Sequence, residues 1–262
     1  PFDQALFERL PRLKLLVTTG MRNPSIDLDA AVARGVTVCG TKGSAGATAE
    51  LAWGLIIGLL RHIPEEAGNL RRGGPWQSTV GRDLAGRRLG VVGLGNLGTR
   101  VARVGRAFGM PVSAWSRSLT PEKAASLDLD YCADLDELLR TADIVTLHLV
   151  LNAETRHIID ARRLALMKPD AFLVNTARGP LVDEAALVRA LAERRIAGAA
   201  LDVYGEEPLP AEHPFRTLPN VLATPHLGYV TEATYRVFFG GAVEDIEAWL
   251  AGSPVRVLAK PA

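Results

Sequence analysis

Three residues of complementary chemistry, Arg178, Glu207 and His226, each stand at or just beyond the end of an apolar segment that is predicted to be a buried strand. They occur in the motifs V-N-T-A-R-G, L-D-V-Y-G-E-E-P and T-P-H-L-G. Such strand ends are where ligands collect in open α/β sheets. A guanidinium can bind a carboxylate, an imidazole can transfer a proton, and a neighbouring carboxylate favours the charged imidazole and fixes its tautomer. Each residue alone also fits a structural role, as a sheet cap, a solvated carboxylate or a loop histidine.

A glycine-rich turn, G-L-G-N-L-G, follows the apolar segment Leu89–Val92 and opens a predicted helix. Its first glycine allows a tight turn, the second lets backbone amides approach a pyrophosphate, and the third permits close packing of helix on strand. A glycine turn of purely structural use is the alternative, but the strand and the helix around it favour dinucleotide binding. The residues that the turn assigns to the cofactor are Gly93, Gly95, Asn96, Leu97 and Gly98.

These two features together indicate hydride transfer. Reduction of a 2-keto acid needs a hydride donor, a fixed cation for the carboxylate and the carbonyl oxygen, and a proton donor for the developing alkoxide. A nicotinamide cofactor, Arg178 and His226 match these requirements, with Glu207 as the partner of His226.

The second strand of the cofactor half ends at Trp115, Ser116, Arg117 and Ser118. An NAD site usually carries Asp or Glu at this tip, where it binds the ribose hydroxyls of the adenosine. The nearest acidic residue along the chain, Glu122, lies in the next predicted helix, so no carboxylate is expected to repel a 2′-phosphate. A guanidinium between two hydroxyls suits that phosphate. The tip predicts NADP as the preferred cofactor over NAD, with an exposed turn arginine as the alternative.

Alternation of apolar segments with helical patterns predicts an α/β fold with a doubly wound parallel sheet. The strands are expected at Leu13–Val17, Val36–Cys39, Leu89–Val92, Pro111–Trp115, Ile144–Leu149, Ala171–Asn175, Ala197–Val203 and Val255–Leu258, the last returning to the first domain. The helices are expected at Leu28–Arg34, at Thr48–Arg72, from Asn96, from Pro121, at Pro180–Glu193 and at Glu232–Leu250. The stretch Thr48–Arg72 has more apolar surface than one domain face should cover, which predicts a homodimer.

The chain of 262 residues carries 30 basic and 29 acidic residues, a formal net charge of +1. This balance argues against nucleic acid or a membrane surface as a partner. Cys39 and Cys132 follow no metal-ligand spacing, so no metal is expected, and they favour a reducing, cytoplasmic location. The longest apolar run is far below the roughly 20 residues of a membrane span. The first residue is Pro1 and a strand is predicted as early as Leu13, so the N-terminal part is expected to be incomplete.

The order of the motifs is more specific than any one of them. The chain resembles the D-isomer-specific 2-hydroxyacid dehydrogenase family over nearly its whole length, and in particular its glyoxylate and hydroxypyruvate reductases. The matching features, in order, are L-K-L-L-V-T-T-G (13–20), I-D-L (26–28), A-E-L after Thr48, Trp76, V-V-G-L-G-N-L-G (91–98), L-H (147–148), E-T-R-H-I-I (154–159), V-N-T-A-R-G (174–179), A-L-D-V (200–203), E-P (207–208) and T-P-H-L-G (224–228).

The resemblance implies two α/β domains with a cleft between them. One is a Rossmann-type cofactor domain, expected over residues 47–227, and the other is a flavodoxin-like substrate domain over 1–46 and 228–262. It implies that Arg178, Glu207 and His226 form the catalytic set and that the backbone amides around Met21 and Arg22 hold the substrate carboxylate. Thr176 and Asp202 are expected near the nicotinamide. The other cofactor residues assigned from these motifs are Thr48, His148, Thr155, Ala177, His226 and Gly228.

The chain departs from the family pattern at three places. A small residue and a glycine are usual where Met21 and Arg22 stand, and Val150 replaces a common proline. The family's chains also usually begin some 50 or more residues earlier. Two other functions stay open: a cofactor-sensing corepressor of the same fold, and a related formate or phosphite dehydrogenase. Glu207 argues against the formate type, which the resemblance would lead one to expect with glutamine there.

Overall fold

The computed structural model describes residues 1–43 and 46–261. Its contacts divide the chain into two units, the first comprising Pro1–Ser44 with Tyr229–Ala262 and the second comprising Ala45–Gly228. The boundary expected at residue 46 adjoins residues 44 and 45, which lie outside the described residues. Each unit is an α/β structure, so the predicted fold class is confirmed.

The strands of the described residues, in chain order, are β1 (Leu15–Thr18), β2 (Thr37–Gly40), β3 (Leu89–Val92), β4 (Val112–Trp115), β5 (Asp130–Tyr131), β6 (Ile144–Leu147), β7 (Phe172–Asn175), β8 (Gly198–Leu201), β9 (Val221–Ala223) and β10 (Val257–Ala259). The helices are α1 (Gln4–Glu8), α2 (Leu28–Ala33), α3 (Ala47–Leu60), α4 (Ile63–Arg71), α5 (Asn96–Ala107), α6 (Pro121–Ala125), α7 (Leu135–Thr141), α8 (Ala161–Leu164), α9 (Glu184–Ala192) and α10 (Glu232–Leu250). Short 3-10 turns occupy Gly179–Leu181 and Pro214–Arg216.

The second unit is built on a seven-stranded sheet in the order β5-β4-β3-β6-β7-β8-β9, with every pair parallel. Strand β3 lies between β4 and β6, so the direction in which the chain adds strands reverses there. Ligands of doubly wound sheets bind at the carboxyl ends of the strands beside such a reversal. Helices pack on both faces of the sheet over two buried apolar clusters, which explains why the central strands are mostly apolar.

One predicted helix, Thr48–Arg72, is wrong as a single element, because the structure has α3 and α4 in its place. His62 between them has a φ of +52°, in the left-handed region. Pro64 explains the break, since a proline has no amide hydrogen and its ring collides with the carbonyl four residues earlier. That earlier residue is Leu60, the last of α3.

The apolar surface of α3 was expected to form the contact of a dimer, and the structure places it elsewhere. Its apolar side chains, including Ile56 and Leu60, are buried in a cluster with β3, β6 and β7, so this unit itself covers them. The exposed apolar side chains follow α3 instead: Ile63 is 51%, Leu70 64% and Trp76 78% exposed.

The predicted helix Pro180–Glu193 begins later than expected. Pro180 lies in the 3-10 turn, and α9 starts at Glu184. Asp183 sets this start because its side chain accepts a hydrogen bond from the Ala186 amide, as an N-cap does.

The first unit is a three-stranded sheet in the order β1-β2-β10. Strand β1 pairs with β2 in parallel and β10 pairs with β2 in the antiparallel sense, which confirms that the tail of the chain returns to the first domain. Its core is formed by Phe7, Val36 and Val38 with their neighbours.

Both cysteines, Cys39 and Cys132, are buried and unbridged, and burial raises the pKa of each thiol. None of the helices in the described part of the chain combines the length and the apolar character that crossing a bilayer requires.

Candidate active site

The glycine turn after β3 lies very close to the backbone at the start of α5. Gly93 has a φ of +98°, and a Cβ on Gly98 would collide with the Gly93 carbonyl oxygen, so the turn and the start of α5 fit together only without these side chains. A Cβ on Gly95 would instead meet open space. Gly95 is the N-cap of α5. Because glycine has no side chain, it gives no capping hydrogen bond to the first amides of that helix. Those amides and the helix dipole fit a pyrophosphate at this position.

The segment that follows β7 presents Arg178. Buried Asn175 shapes this turn, since its side chain accepts a hydrogen bond from the Ala177 amide at 3.0 Å and donates one to the Arg178 carbonyl oxygen at 2.9 Å. The exposed Arg178 guanidinium donates to the Ala177 carbonyl oxygen at 2.6 Å. The Thr176 hydroxyl is buried and has no hydrogen-bond partner within residues 1–43 and 46–261. Because a buried hydroxyl is costly without a partner, a bound ligand group fits here.

Glu207 and His226 meet after β8 and β9. The Glu207 Oε2 atom lies 2.6 Å from His226 Nδ1, and Glu207 Oε1 accepts a hydrogen bond from the Tyr204 amide at 2.9 Å. The two side chains are 35% and 33% exposed, so they are open to a ligand. His226 has a φ of +54°, in the left-handed region. Since a carboxylate only accepts hydrogen bonds, this contact assigns a hydrogen to Nδ1 and fixes the orientation of the ring.

Asp202, expected beside the nicotinamide, also holds the segment around His226. Its buried carboxylate accepts hydrogen bonds from the Thr224 hydroxyl at 2.6 Å, the Leu227 amide at 2.7 Å and the Gly228 amide at 2.8 Å. The Gly228 carbonyl oxygen in turn accepts a hydrogen bond from the Thr48 hydroxyl at 2.8 Å. Three of the residues assigned to the cofactor, Thr48, Asp202 and Gly228, thus form one hydrogen-bonded group.

The tip of β4 has a neighbour that the sequence did not reveal. Arg117 forms an ion pair with Glu154, which stands in the loop after β6. The expectation that no carboxylate lies near this tip is therefore wrong. The reason is the sheet order: β4 and β6 flank β3, so residues that are 37 positions apart in the sequence can meet at the same edge. Ser116 is half-buried and Ser118 is exposed.

The loop after β6 is fixed by Thr155. Its buried hydroxyl donates to the Val150 carbonyl oxygen at 2.7 Å and accepts from the Asn152 amide at 2.8 Å. His148, at the start of the loop, lies 3.0 Å from the Thr146 hydroxyl through Nε2. Burial lowers the pKa of His148 to about 4, so its imidazole is neutral near neutral pH.

Met21 and Arg22 lie in the first unit, in the loop that follows β1. Both side chains are exposed, Met21 by 47%. The loop is held at its base, where the Gly20 amide donates to the Thr41 hydroxyl at 3.0 Å and the Asn23 side chain donates to the Thr18 hydroxyl at 2.9 Å.

The residues of the second unit share one edge of the sheet. The glycine turn, Arg178, Glu207 and His226 follow the carboxyl ends of β3, β7, β8 and β9, which all run in the same direction. Three residues that contact the site were not predicted from the sequence: Asn175, Glu154 and Tyr204. Asn175 and Tyr204 could have been found from their places beside Arg178 and Glu207 in the quoted motifs. Among the described residues no group of three or more His, Cys, Asp or Glu side chains is arranged to hold a metal ion.

Comparison with known proteins finds relatives in the family that the motifs resemble. Residues 53–228 match the family model described as the NAD binding domain of the D-isomer specific 2-hydroxyacid dehydrogenases. The chain is 39% identical over 259 residues to a glyoxylate reductase of Aeropyrum pernix, a match that covers 95% of this chain and 77% of that protein. It is also 39% identical over 250 residues to a D-3-phosphoglycerate dehydrogenase of Methanocaldococcus jannaschii, covering 94% of this chain but only 47% of that protein.

Among solved structures, the crystal structure of a phosphoglycerate oxidoreductase from Vibrio cholerae O395 is similar to this one with a TM-score of 0.92 and 40% identity. The match covers 96% of this chain and 81% of that chain. The similarity therefore extends over both units and not only over the glycine turn.

Proposed function

The chain belongs to the D-isomer specific 2-hydroxyacid dehydrogenase family, and from this premise we propose that it transfers a hydride between a nicotinamide cofactor and C2 of a small 2-keto or 2-hydroxy acid such as glyoxylate or hydroxypyruvate. The observation that carries the proposal is the 2.6 Å contact between His226 Nδ1 and Glu207 Oε2. This pair lies at the same sheet edge as the glycine turn and Arg178.

Each side chain has one task in this reaction. When bound, the nicotinamide supplies the hydride that reduces C2. Arg178 binds the keto acid through its carboxylate and its carbonyl oxygen, for which a planar guanidinium with several donors is suited. His226 donates a proton to the oxygen on C2 as that oxygen becomes an alkoxide.

Glu207 makes this proton transfer possible without touching the substrate. Its carboxylate fixes the ring through Nδ1, so Nε2, on the opposite side of the ring, is the nitrogen that gives the proton. In the oxidative direction the ring begins neutral, and its Nε2 atom accepts the proton from the hydroxyl group.

The experiment that tests this function is a panel of glyoxylate, hydroxypyruvate and pyruvate with NADPH and with NADH, followed at 340 nm. We expect cofactor consumption with at least one of these acids. A cofactor-sensing binding protein of the same fold would bind NADPH, seen as a change in its fluorescence, without consuming it. Binding without turnover on the whole panel would contradict the proposed activity.

For the cofactor we propose a preference for NADPH over NADH. Arg117 is exposed at the tip of β4 between two serines, and a guanidinium there can pair with a 2′-phosphate. Glu154 acts against this preference, because its carboxylate neutralises the guanidinium and repels a phosphate. The two side chains are 50% and 74% exposed, so solvent screens both effects.

The opposing effects of Arg117 and Glu154 can be tested through the selectivity between the two cofactors. We expect Arg117→Ala to lower the ratio of kcat/KM for NADPH to that for NADH by about tenfold. This factor corresponds to the free energy of roughly one charge-assisted hydrogen bond, reduced because solvent screens the charges. Glu154→Gln should raise the same ratio, because it leaves the guanidinium without its countercharge. Glu232→Gln is the control, since it removes one carboxylate from an exposed pair with Arg236 on α10. A parent that prefers NADH, or an unchanged ratio in Arg117→Ala, would refute the assignment.

We also propose that the chain forms a homodimer through the apolar side chains that follow α3, on α4 and the segment after it. Ile63, Leu70, Trp76 and Val80 are each more than half exposed within a short stretch of chain. Large exposed apolar areas often mark an interface between proteins, and a two-fold axis would bury the same residues on both copies.

A cytoplasmic location is part of the proposal, supported by two buried thiols that form no disulfide.

Light scattering over a dilution series tests the dimer. We expect the mass of two chains at micromolar concentration, and a shift toward one chain in the double variant Leu70→Ser with Trp76→Ser. Phe239→Ser on α10, where the side chain is 63% exposed, is the control and should leave the mass unchanged. A parent that is monomeric at micromolar concentration would disprove the proposal.

A further inference from the structure

Tyr204 contacts the segments that carry all three candidate catalytic residues. Its amide donates to Glu207 Oε1 at 2.9 Å. Its hydroxyl lies 2.8 Å from the Thr224 carbonyl oxygen, two residues before His226, and 3.0 Å from the Leu201 carbonyl oxygen at the end of β8. A hydroxyl has one hydrogen, so the two carbonyl oxygens share it.

The segment of Arg178 rests against the same residue. A Cβ on Gly179 would collide with the Tyr204 carbonyl group and with its Cα atom, so the backbone of the turn after β7 lies directly against the backbone of Tyr204. Only glycine permits this approach, which gives a physical reason for the glycine that follows arginine in V-N-T-A-R-G.

The phenol ring is well fixed. Tyr204 is 5% exposed, and its ring packs at 6.4 Å from the ring of Phe215. Burial, together with the nearby carboxylate of Asp202, raises the pKa of Tyr204 to about 12, so the hydroxyl stays a hydrogen donor throughout the range in which the enzyme would be assayed.

We propose that Tyr204 is a positioning residue that sets the distance between the Glu207 carboxylate and the His226 imidazole. The Tyr204 amide holds Glu207, and the Tyr204 hydroxyl holds the strand end that leads to His226. Both members of the 2.6 Å pair are therefore positioned by one buried residue. This role rests on the proposed function for its effect on the rate, but the distance itself exists without substrate.

Asp202 limits how large the effect can be. It holds Leu227 and Gly228 on the other side of His226 and also accepts from the Thr224 hydroxyl. Loss of the Tyr204 hydroxyl therefore loosens the Glu207–His226 pair rather than releasing it.

The test is Tyr204→Phe, which keeps the ring and the amide and removes only the hydroxyl. With saturating NADPH and glyoxylate, we expect the single-turnover rate of NADPH oxidation to fall about fivefold to tenfold, the size of effect of one buried hydrogen bond. The KM for glyoxylate and the Kd for NADPH should stay within about twofold, since this variant removes no contact of Arg178 or of the glycine turn. In a Glu207→Gln background the same change should cost less than about twofold, because residues that act through one contact are not additive.

Two controls separate positioning from loss of stability. Trp53→Phe removes another buried hydrogen bond in the same unit, from the indole to the Val101 carbonyl oxygen, and should lower the melting temperature without slowing the single turnover. Tyr131→Phe removes a phenol hydroxyl from the edge strand β5 and should change neither quantity.

A spectroscopic measurement tests the proposal without any turnover. Imidazole nitrogen shifts of His226, assigned by their absence in His226→Asn, report which nitrogen carries the hydrogen. At about pH 9 the parent should hold it mainly on Nδ1, and Tyr204→Phe should shift the population toward Nε2 in the same direction as Glu207→Gln. Shifts in Tyr204→Phe that equal those of the parent, while Glu207→Gln differs, would overturn the positioning role. Failure of the parent to reduce any keto acid would instead count against the proposed function and leave this readout intact.

Discussion

His226→Ala is expected to lower kcat/KM for keto acid reduction by about 10² to 10⁴, the usual contribution of a positioned general acid. The alanine removes the group that protonates the oxygen on C2, while Arg178 and the glycine turn are unchanged. Cofactor affinity should therefore fall far less than kcat/KM, because the glycine turn stays in place. The measurement is steady-state NADPH oxidation with glyoxylate, together with a fluorescence titration of NADPH.

The chain offers a closely matched control in His62→Ala. His62 has a φ of +52°, beside +54° for His226, and it also faces a carboxylate, with Nδ1 at 3.4 Å from Glu65. Both substitutions place alanine in the left-handed region, so both cost similar backbone strain. His226→Asn adds a variant that tolerates this region while it still lacks the imidazole. Activity within about threefold of the parent in His226→Asn would contradict the role of His226 as proton donor.

Arg178→Ala should lower kcat/KM by about 10² to 10⁴, the loss of two charge-assisted hydrogen bonds to the substrate. Within the described residues the guanidinium has no carboxylate partner, and its one hydrogen bond there is to the neighbouring Ala177 carbonyl oxygen. It can therefore turn to a ligand without breaking an ion pair. Because the proposed contacts include both the carboxylate and the carbonyl oxygen, we expect KM to rise and kcat to fall.

Arg178→Lys should recover part of this loss, since it restores the charge but not the planar pair of donors. Arg87→Ala is the control for removal of an arginine whose guanidinium makes a solvent-exposed hydrogen bond to a nearby carbonyl oxygen, that of Asp83. If Arg178→Ala kept a kcat/KM within about threefold of the parent, another residue would have to bind the carboxylate.

The single helix expected over residues 48–72 shows where local reasoning fell short even though the signal was local. Pro64 marked the break, although helical residues lie on both sides of it. The expectation that the apolar surface of this helix faces a second copy was wrong for a different reason. Whether α3 faces its own sheet or a second copy depends on which strands lie beneath it, and periodicity contains no information about that.

The amino-acid sequence by itself determined the elements and motifs that are set by neighbours along the chain. A strand, a glycine turn and a helix start follow each other directly from Leu89 to Gly98, and Arg178, Glu207 and His226 each follow their own strand. Together with the order of the motifs, these local signals were enough for the α/β class and for the family.

Only the tertiary structure decided which side chains from different segments meet. The sheet order brings Glu154 to Arg117, which weakens the argument for NADPH, and it brings the Thr224 carbonyl oxygen to the Tyr204 hydroxyl. A motif fixes the backbone of its own few residues through propensity and turn geometry. Contacts between segments depend instead on strand order and register, and these are set by the packing of the whole sheet.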